Sequence, residues 1–446
     1  MQRLDETTNP IKLAGPLFIE LLLFMIMGNV DTIMLSKYSD TAVAAVGNAN
    51  QILNSLLILF NITSAATGIM VAQFLGASKK TELNQVYTLG YGLNLILAFM
   101  IAGFLIVFQN TFFIRINLPT ELYVDVKAYL NTTLAFLFVP AFFTLSSVIL
   151  KSHGVTKLSM YLAVLMNVVN IIGNYIFLFG PFGLPVLGVK GVAISTVLSR
   201  GLSMTIMVIV LVKQMNLSVK LKHLKPFPKQ LFTKYLKLGL PSAGEPISYQ
   251  FSQMVIFSFI NMMGTMTVTT KIYVQIIVMF TYLSSLAIAQ ANQIITGHLV
   301  GAGKYDDAYR ITLGAFKKSL LITIAVSITF ILLRFQLIRI FTDNPEIIKL
   351  GAAILVIDIF VEIGRVANLV IISSLKAAGD VNFPVGIGIV SMWLVSTLGA
   401  YVLGVVMGFG LIGIWIAMAA DELLRGALMV GRLRSGKWRG KRIVHG

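Results

Sequence analysis

Long apolar runs alternate with short polar loops along the whole chain. A helix needs about 20 largely apolar residues to cross the hydrocarbon core of a bilayer, and each run reaches that length. Open strands are excluded, because lipid cannot satisfy their unpaired backbone groups. The pattern predicts an all-α membrane protein with twelve transmembrane helices, at residues 11–36, 41–75, 84–108, 122–149, 157–180, 188–213, 237–263, 266–302, 308–341, 347–377, 383–407 and 410–432.

The composition agrees with a chain that meets lipid. Hydrophobic residues make up 57% of the chain and charged residues 12%, whereas about 25% of the residues of a soluble domain are charged. The net charge of +17 comes mostly from loops and the tail, without a basic groove and interleaved aromatic residues, so no nucleic-acid partner is expected. The chain has no cysteine, which excludes disulfides and thiol catalysis.

Loop charge predicts the orientation of the helices. Lysine and arginine are concentrated in the loops after even-numbered helices and in the tail, and the longest loop carries five lysines and no acid. Because cytoplasmic loops carry the excess of basic residues, both termini are predicted to be cytoplasmic. We expect the first apolar run to be a retained helix rather than a signal peptide, and the protein to lie in the plasma (inner) membrane of a bacterium.

The sequence matches itself when it is shifted by 225 positions. The matches extend through six helices and include the pairs Pro16 and Pro241, Glu20 and Glu245, Lys151 and Lys376, and Arg200 and Arg425. Each half has an even number of helices, so both halves enter the membrane in the same sense. We expect two six-helix lobes, related by a pseudo-twofold axis along the membrane normal, with a substrate cavity between them.

The repeat and the loop charges also predict the domain boundaries. The N-terminal six-helix lobe is expected at residues 1–213 and the C-terminal lobe at 237–432. A basic cytoplasmic connector at 214–236 joins them, and a basic tail follows at 433–446. Polar residues that occur in one half only are better candidates for function than those that both halves keep.

One acid and one base recur at matching positions in the two halves. Glu20 and Arg200 lie at broadly similar depth from the cytoplasmic ends of their helices, as do Glu245 and Arg425. Pairing lowers the cost of burying each charge in a membrane. We therefore predict two structural ion pairs, Glu20–Arg200 and Glu245–Arg425, with a role in ion coupling as the alternative.

A polar cluster is predicted in the first half only. Asp31 lies in the first helix, while Asn167, Asn170 and Asn174 share one face of the fifth and Thr196 lies in the sixth. The aspartate and the asparagines have apolar or glycine mates in the other half. A carboxylate among neutral oxygen ligands can hold Na⁺ or take up a proton reversibly. The alternative is helix–helix hydrogen bonding alone.

A second one-sided polar stripe lies in the tenth helix. Asp358, Glu362 and Arg365 are spaced to share a helix face, with Asn368 beside them. The stripe is either a self-neutralising cluster, a second cation site or a cavity wall that selects substrates by charge. No histidine pair has metal-ligand spacing, so no metal is expected beyond Na⁺ at Asp31.

Short motifs in both halves resemble the multidrug and toxic compound extrusion (MATE) family. They comprise Pro16, the stretch 30–32 around Asp31, the stretch 72–77, the stretch 364–368 and the stretch 375–380. The resemblance covers nearly the whole chain and depends on the order and spacing of these motifs. It implies an antiporter driven by H⁺ or Na⁺ that exports amphipathic organic compounds through a V-shaped, bilobal cavity, without a further cofactor.

The resemblance also implies roles for individual residues. The family's helix 1 aspartate matches Asp31, its helix 5 asparagine matches Asn170, and its helix 6 threonine matches Thr196. The chain departs from many members at Asn174, where an aspartate is frequent. With one carboxylate rather than two, proton coupling is favoured over Na⁺.

The resemblance is weaker in the second half. Some members carry an acid where Arg365 stands, which puts a Na⁺ site there in doubt and favours anionic or zwitterionic substrates. A family carboxylate early in helix 7 matches Glu245 loosely. Glu245, Asp358, Glu362 and Arg365 are therefore the candidates for a second polar site.

Other functions compete with drug export. A flippase or exporter of anionic metabolites or lipid-linked precursors belongs to the same superfamily, but usually has more helices and a cationic central cavity. A membrane-embedded transferase would need a catalytic cluster in a sizeable loop, and a channel would need a filter-like loop; neither is present in the sequence. We expect a monomer, not an enzyme, whose partners are amphipathic small molecules and membrane lipid.

Overall fold

The computed structural model describes residues 4–115 and 118–444, apart from the side chain of Phe182. The described residues form twelve long helices joined by short loops. They are α1 (Pro10–Tyr38), α2 (Asp40–Gly76), α3 (Lys80–Arg115), α4 (Thr120–Ala135 and Phe138–Ser152, bent by 52°), α5 (Thr156–Phe179), α6 (Gly188–Met215), α7 (Lys229–Met262), α8 (Thr265–Gly301), α9 (Tyr305–Leu332), α10 (Pro345–Ala377), α11 (Asn382–Val406) and α12 (Gly410–Arg434).

The predicted twelve-helix architecture is confirmed, and most helix boundaries agree within a few residues. Eight helices are long and apolar enough to span a membrane by themselves, and the bent α4 is a ninth. The other three, α7, α10 and α12, have 34, 33 and 25 residues and carry more charged side chains. Five of the eleven charged side chains of α10 and α12 are buried within the protein, which is how a membrane helix tolerates them: Asp358, Glu362, Asp421, Glu422 and Arg425.

The helices divide into two compact units. Of the described residues, the first contains those of Ile19–Leu75 and Lys79–Gly239, and the second contains Leu4–Phe18, Gly76–Ser78 and residues 240–444. The two units differ from the predicted lobes at the N-terminal ends of α1 and α7. The first turns of α1 belong to the second unit, and the first turns of α7 belong to the first.

Each unit has its own apolar core. Leu35, Phe60 and Leu130 are among the buried side chains that fill the first unit. In the second unit, Trp415 lies in one buried cluster and Trp438 in another. Burial of large apolar side chains holds the helices of a unit in register, so polar residues on facing helices are brought to fixed positions.

The outer face of α3 is suited to lipid. Phe99, Met100 and Phe104 are 64%, 63% and 61% exposed on this helix. Contiguous apolar patches of this kind are rare on proteins surrounded by water. The exposure is therefore consistent with a helix that meets the hydrocarbon core of a bilayer.

Candidate functional site

A close approach of α5 and α6 positions the polar residues of the first unit. Gly173 of α5 lies against Ser195 of α6, where any larger side chain would collide with the serine. The Ser195 hydroxyl donates a hydrogen bond to the backbone carbonyl of Asn170 at 2.8 Å, which fixes the register of the two helices. The helical spacing of Asn170 and Asn174 then directs both amides to the same face of α5.

Hydrogen bonds link the four candidate coupling residues. The Asn174 amide donates to Asp31 Oδ1 at 2.6 Å and to Asn170 Oδ1 at 3.4 Å. The Asn170 amide donates to Thr196 Oγ1 at 3.4 Å. Asn167 bonds instead to the Ala163 carbonyl of its own helix. The structure thus joins residues of α1, α5 and α6 in one continuous series of hydrogen bonds. Their role in ion coupling stays a prediction.

Asn174 can serve both protonation states of Asp31. Its amide nitrogen donates to the carboxylate, as an ionised aspartate requires. Its Oδ1 atom is buried and has no hydrogen-bond partner among the residues that the structure describes. Because an amide carries both donor and acceptor atoms, the same side chain can accept a hydrogen bond from the neutral carboxyl group. The arrangement is therefore suited to a group that gains and loses a proton.

The structure corrects the two predicted ion pairs, Glu20 with Arg200 and Glu245 with Arg425. Glu20 pairs with Lys151 of α4 at 2.7 Å, and Glu245 pairs with Lys376 of α10 at 2.5 Å. The prediction failed because depth along a helix does not determine the face that a side chain occupies. The two observed pairs are related by the repeat, so both units contain the same structural ion pair.

Arg200 is left without a close acid. Within residues 4–115 and 118–444, no carboxylate lies within 4.0 Å of its guanidinium group. The acid whose charge acts on Arg200 from farther away is Asp31. Arg200 is partly buried in α6, four residues after Thr196. The candidate coupling residues Asp31 and Thr196 therefore lie near a positive charge.

Charged side chains are interlinked between α10 and α12 in the second unit. Arg425 lies 2.9 Å from both Asp421 and Glu422 on its own helix. Arg365 of α10 contacts Glu362 and lies 3.9 Å from Glu422, which joins the two helices. Both arginines are therefore neutralised by neighbouring acids.

Helix packing brings this network together. Gly364 of α10 lies against the backbone of Glu422, where a larger side chain would collide with α12. The Asn368 amide donates to the Glu422 side chain at 2.5 Å. Asp358 accepts a hydrogen bond from the Trp415 indole at 3.0 Å. The acids of this region are thus held by neutral donors as well as by the arginines.

The predicted second polar site is only partly assembled. Glu362 and Arg365 are in contact, and Asp358 lies one helical turn before Glu362 with its own tryptophan partner. Glu245 belongs to the separate pair with Lys376. The stripe in α10 therefore forms one side of a network between two helices rather than a site by itself.

Asp421 and Glu422 are site residues that the sequence analysis missed. They precede Arg425 by four and three residues, a spacing that places acids and base on one helix face. That spacing was a usable signal. With these two acids, the network contains more carboxylates than arginines among side chains that are at most 15% exposed. Buried acids in excess of bases are costly, so a proton or cation is expected to neutralise part of them.

The internal repeat reappears when the chain is compared with known families. The MatE family model matches residues 16–176 and matches again at residues 241–402, with the two matches starting 225 positions apart. The chain belongs to the MatE family. A MatE protein is a multi-pass membrane transporter of small molecules and not an enzyme, and this chain has relatives of that kind in bacteria.

Individual MatE relatives cover almost the whole chain. An uncharacterized transporter of Bacillus subtilis (strain 168), YisQ, is 40% identical over 434 residues, which are 97% of this chain and 95% of the relative. NorM of Thermotoga maritima, a probable multidrug resistance protein, is 26% identical over 97% of this chain and 93% of its own. The crystal structure of MATE in the bent conformation matches with a TM-score of 0.88 at 20% identity, over 98% of this chain and 97% of that chain.

Proposed function

We propose that this transporter exports amphipathic organic compounds in exchange for protons, and that Asp31 is the group that binds the proton. The observation that carries the proposal is the hydrogen bond from the Asn174 amide to the Asp31 carboxylate, in a chain that continues to Asn170 and Thr196. A partly buried carboxylate with neutral partners is costly to keep ionised, so protonation changes the free energy of this part of the unit.

The composition of the site supports protons over Na⁺. Asp31 is the one carboxylate in the chain of hydrogen bonds, since Asn174 stands where a second acid would add charge. Arg200 adds a positive charge that acts on Asp31. A Na⁺ ion would have to be held by one carboxylate against that charge, whereas a proton forms a covalent bond to the carboxylate oxygen.

Export of drug-like compounds is supported by the relatives. NorM of Thermotoga maritima is a probable multidrug resistance protein and shares 26% identity over nearly the full chain. Antiport requires that the proton and the exported compound favour different states of the transporter, because a ligand shifts an equilibrium only by its differential affinity. In this proposal the protonated state of Asp31 releases the compound, and the ionised state accepts the next one.

The topology belongs to the same proposal. The basic stretch from Lys220 to Lys229 and the tail carry the lysines and arginines expected on a cytoplasmic face, so both termini are assigned to the cytoplasm. The protein then acts as a monomer in the plasma membrane, where anionic lipid headgroups attract the basic connector.

Transport in proteoliposomes tests the proposal. The purified protein is reconstituted, and efflux of a fluorescent organic cation and of a fluorescent organic anion is followed under an imposed pH gradient or an imposed Na⁺ gradient. A pH gradient is expected to drive efflux in the parent protein. Asp31→Asn is expected to abolish that efflux, because the amide cannot bind and release the proton.

A matched control separates coupling from folding. Asp40 is an exposed aspartate at the start of α2, so Asp40→Asn makes the same chemical change outside the site. It is expected to transport at the parent rate. Efflux driven by Na⁺ but not by a pH gradient would refute proton coupling, and undiminished efflux by Asp31→Asn would refute the assignment of Asp31.

A further inference from the structure

A cavity in the second unit lies away from the proposed proton site. It is bordered by the first half of α9 and by the segment that precedes α1, and its volume is about 480 Å³. Its lining includes Glu6, Asn9, Asp307, Arg310, Gly314 and Lys318. A cavity of this size can hold a small molecule or the headgroup of a lipid.

The internal repeat helps to explain the space. Gly314 and Lys318 match Leu89 and Leu93 in the first half, so the second half has a glycine where the first has a bulky side chain. A Cβ atom at Gly314 would meet nothing within 4 Å beyond its own helix. The glycine and the lysine thus occur in one half only, which is the pattern that favours function over architecture.

The segment before α1 forms a fixed wall of the cavity. Leu4 is buried in an apolar cluster of the second unit. Glu6 pairs with Lys304, the residue before α9, at 2.7 Å. Asn9 accepts a hydrogen bond from the Ile11 backbone N–H at 3.0 Å, as a residue that caps a helix does. This bond uses the acceptor atom of the Asn9 side chain, so its NH₂ group remains to donate to a ligand.

Lys318 gives the cavity a surplus positive charge. The two acids of the lining each have a basic partner, because Glu6 contacts Lys304 and Asp307 contacts Arg310. Among the residues that the structure describes, no acid is in ion-pair contact with Lys318. A cation without a partner attracts an anion, so the cavity favours a ligand with one negative charge.

The position of Lys318 along α9 places the cavity at the level of the lipid headgroups. No charged residue follows Lys318 until Arg334, a length of roughly 24 Å at 1.5 Å per residue. This uncharged stretch is suited to the hydrocarbon core, and a lysine at its edge extends its ammonium group toward the headgroups. The cavity lies between Lys318 and the N-terminal end of α9, on the headgroup side of that edge.

An apolar surface of α9 continues from the cavity. Leu321 and Ile322 follow Lys318 by three and four residues, so they lie on the same side of the helix. They are 68% and 37% exposed. A ligand whose anionic group meets Lys318 therefore has an apolar surface directly beside it. A phospholipid matches that combination, whereas a soluble phosphate does not.

We infer that this cavity binds the phosphate group of an anionic phospholipid, with the acyl chains against Leu321 and Ile322. The Lys318 ammonium group supplies the charge and the Asn9 amide a further donor. Under the proposed topology the lipid belongs to the cytoplasmic leaflet. Its binding depends neither on that topology nor on proton coupling, so it is measured separately from both.

Native mass spectrometry of the full-length protein in detergent tests the inference, because each bound lipid adds a known mass. Dioleoylphosphatidylglycerol and dioleoylphosphatidylcholine share their acyl chains and differ in net charge, and sn-glycerol 3-phosphate is an anion without chains. The parent protein is expected to bind its first phosphatidylglycerol about fivefold more tightly than phosphatidylcholine, since a lysine beside an anionic headgroup contributes about 1 kcal/mol. Glycerol phosphate is expected not to bind at the same concentration.

Two neighbouring lysines provide a matched pair of variants. Lys318→Gln removes the charge from the cavity and is expected to lower phosphatidylglycerol affinity about fivefold, to the level of phosphatidylcholine. Lys317→Gln makes the same change at an exposed lysine outside the cavity lining, and is expected to keep the preference of the parent. Lys318→Arg keeps the charge and is also expected to keep that preference.

A second pair of variants tests the shape of the cavity independently of its charge. Gly314→Leu introduces the leucine of the first half and fills the space while Lys318 remains, so the preference for phosphatidylglycerol is expected to be lost. Leucine favours a helix more than glycine does, so the variant is expected to fold. Gly103→Leu, at an exposed position of α3, makes the same change elsewhere and is expected to bind as the parent does.

The remaining outcomes would overturn the inference. Equal affinity of the parent for the two lipids would exclude an anion site. Equal losses in Lys317→Gln and Lys318→Gln would indicate attraction by overall charge, and an unchanged preference in Gly314→Leu would exclude this cavity. Binding of glycerol phosphate as tight as that of the lipid would indicate a site for soluble anions.

A variant of the proposed proton site separates this inference from the proposed function. Asp31 belongs to the first unit and the cavity to the second. Asp31→Asn is therefore expected to bind phosphatidylglycerol as the parent does. A failure of proton coupling with intact lipid binding would refute only the proposed function.

Discussion

Arg200 and Arg425 occupy the same position in the two halves of the chain and have opposite surroundings. Arg425 lies 2.9 Å from Asp421 and Glu422. Arg200 lines a cavity and has no acid within ion-pair distance in the described parts of the chain. The comparison shows that the duplicated arginine is kept in both halves, and that the residues three and four positions earlier decide whether acids on its own helix neutralise it.

The other repeated charges show the opposite behaviour. Glu20 pairs with Lys151 in the first unit, and Glu245 pairs with Lys376 in the second. Acid and base were both retained in each half, which is expected for a pair that stabilises the packing of helices. The neighbours of the arginine, the polar cluster at Asp31 and the polar stripe of α10 have instead diverged between the halves.

The largest expected effect comes from removing the better-neutralised arginine. Arg425→Met leaves Asp421 and Glu422 buried without their base, and is expected to lower the free energy of unfolding by about 3–5 kcal/mol. Arg200→Met removes a charge that has no close partner, so its effect on stability should be much smaller. Unfolding in detergent, followed by circular dichroism, measures both. Equal losses would show that the two arginines are not in different environments.

The conserved ion pairs are expected to behave alike. Glu20→Gln and Glu245→Gln each leave a lysine in a mostly buried position, and each is expected to cost roughly 1–3 kcal/mol in unfolding free energy. Exchange of the partners, Glu20→Lys with Lys151→Glu, should recover most of the loss, as a double-mutant cycle would measure. A cycle with no coupling energy would contradict the pairing.

A second carboxylate in the polar cluster should change the ion preference. Asn174→Asp places an acid beside Asp31, where the amide now donates at 2.6 Å. Two carboxylates hold a cation more strongly than one, so efflux driven by a Na⁺ gradient is expected to appear or to increase several-fold. The measurement is efflux from proteoliposomes at equal pH on both sides. An unchanged Na⁺ response would contradict the role assigned to the charge of this site.

The smallest effect is expected within α5 itself. Asn174→Ala removes the hydrogen bond to Asp31 and should slow proton-driven efflux, whereas Asn167→Ala removes only a bond to the Ala163 carbonyl. The second variant should therefore transport close to the parent rate. Initial rates under the same pH gradient compare the two. Equal losses of transport rate would indicate that any change in α5 slows transport and that the Asn174 amide has no special role.

Helical periodicity accounts for the parts of the molecule that were predictable. Apolar length located twelve helices, and the spacing of Asn170 and Asn174 indicated a shared face that the structure places beside Asp31. The ion pairs were mispredicted because the rotation of a helix about its axis depends on packing, which a single sequence does not report. The neighbours of Arg200 differ from those of Arg425 for a reason visible in sequence, namely the residues three and four positions earlier.

The N-terminal turns of α1 and of α7 each belong to the unit that is formed mainly by the other half of the chain, so each half depends on the other. The first turns of α1 complete the second unit, and the first turns of α7 complete the first. A chain cut in the connector between α6 and α7 would give two fragments, each carrying a segment that the other fragment needs. Such fragments are expected to be degraded when produced singly and to reassemble when produced together, so inheritance of the two halves as one gene is favoured by their folding.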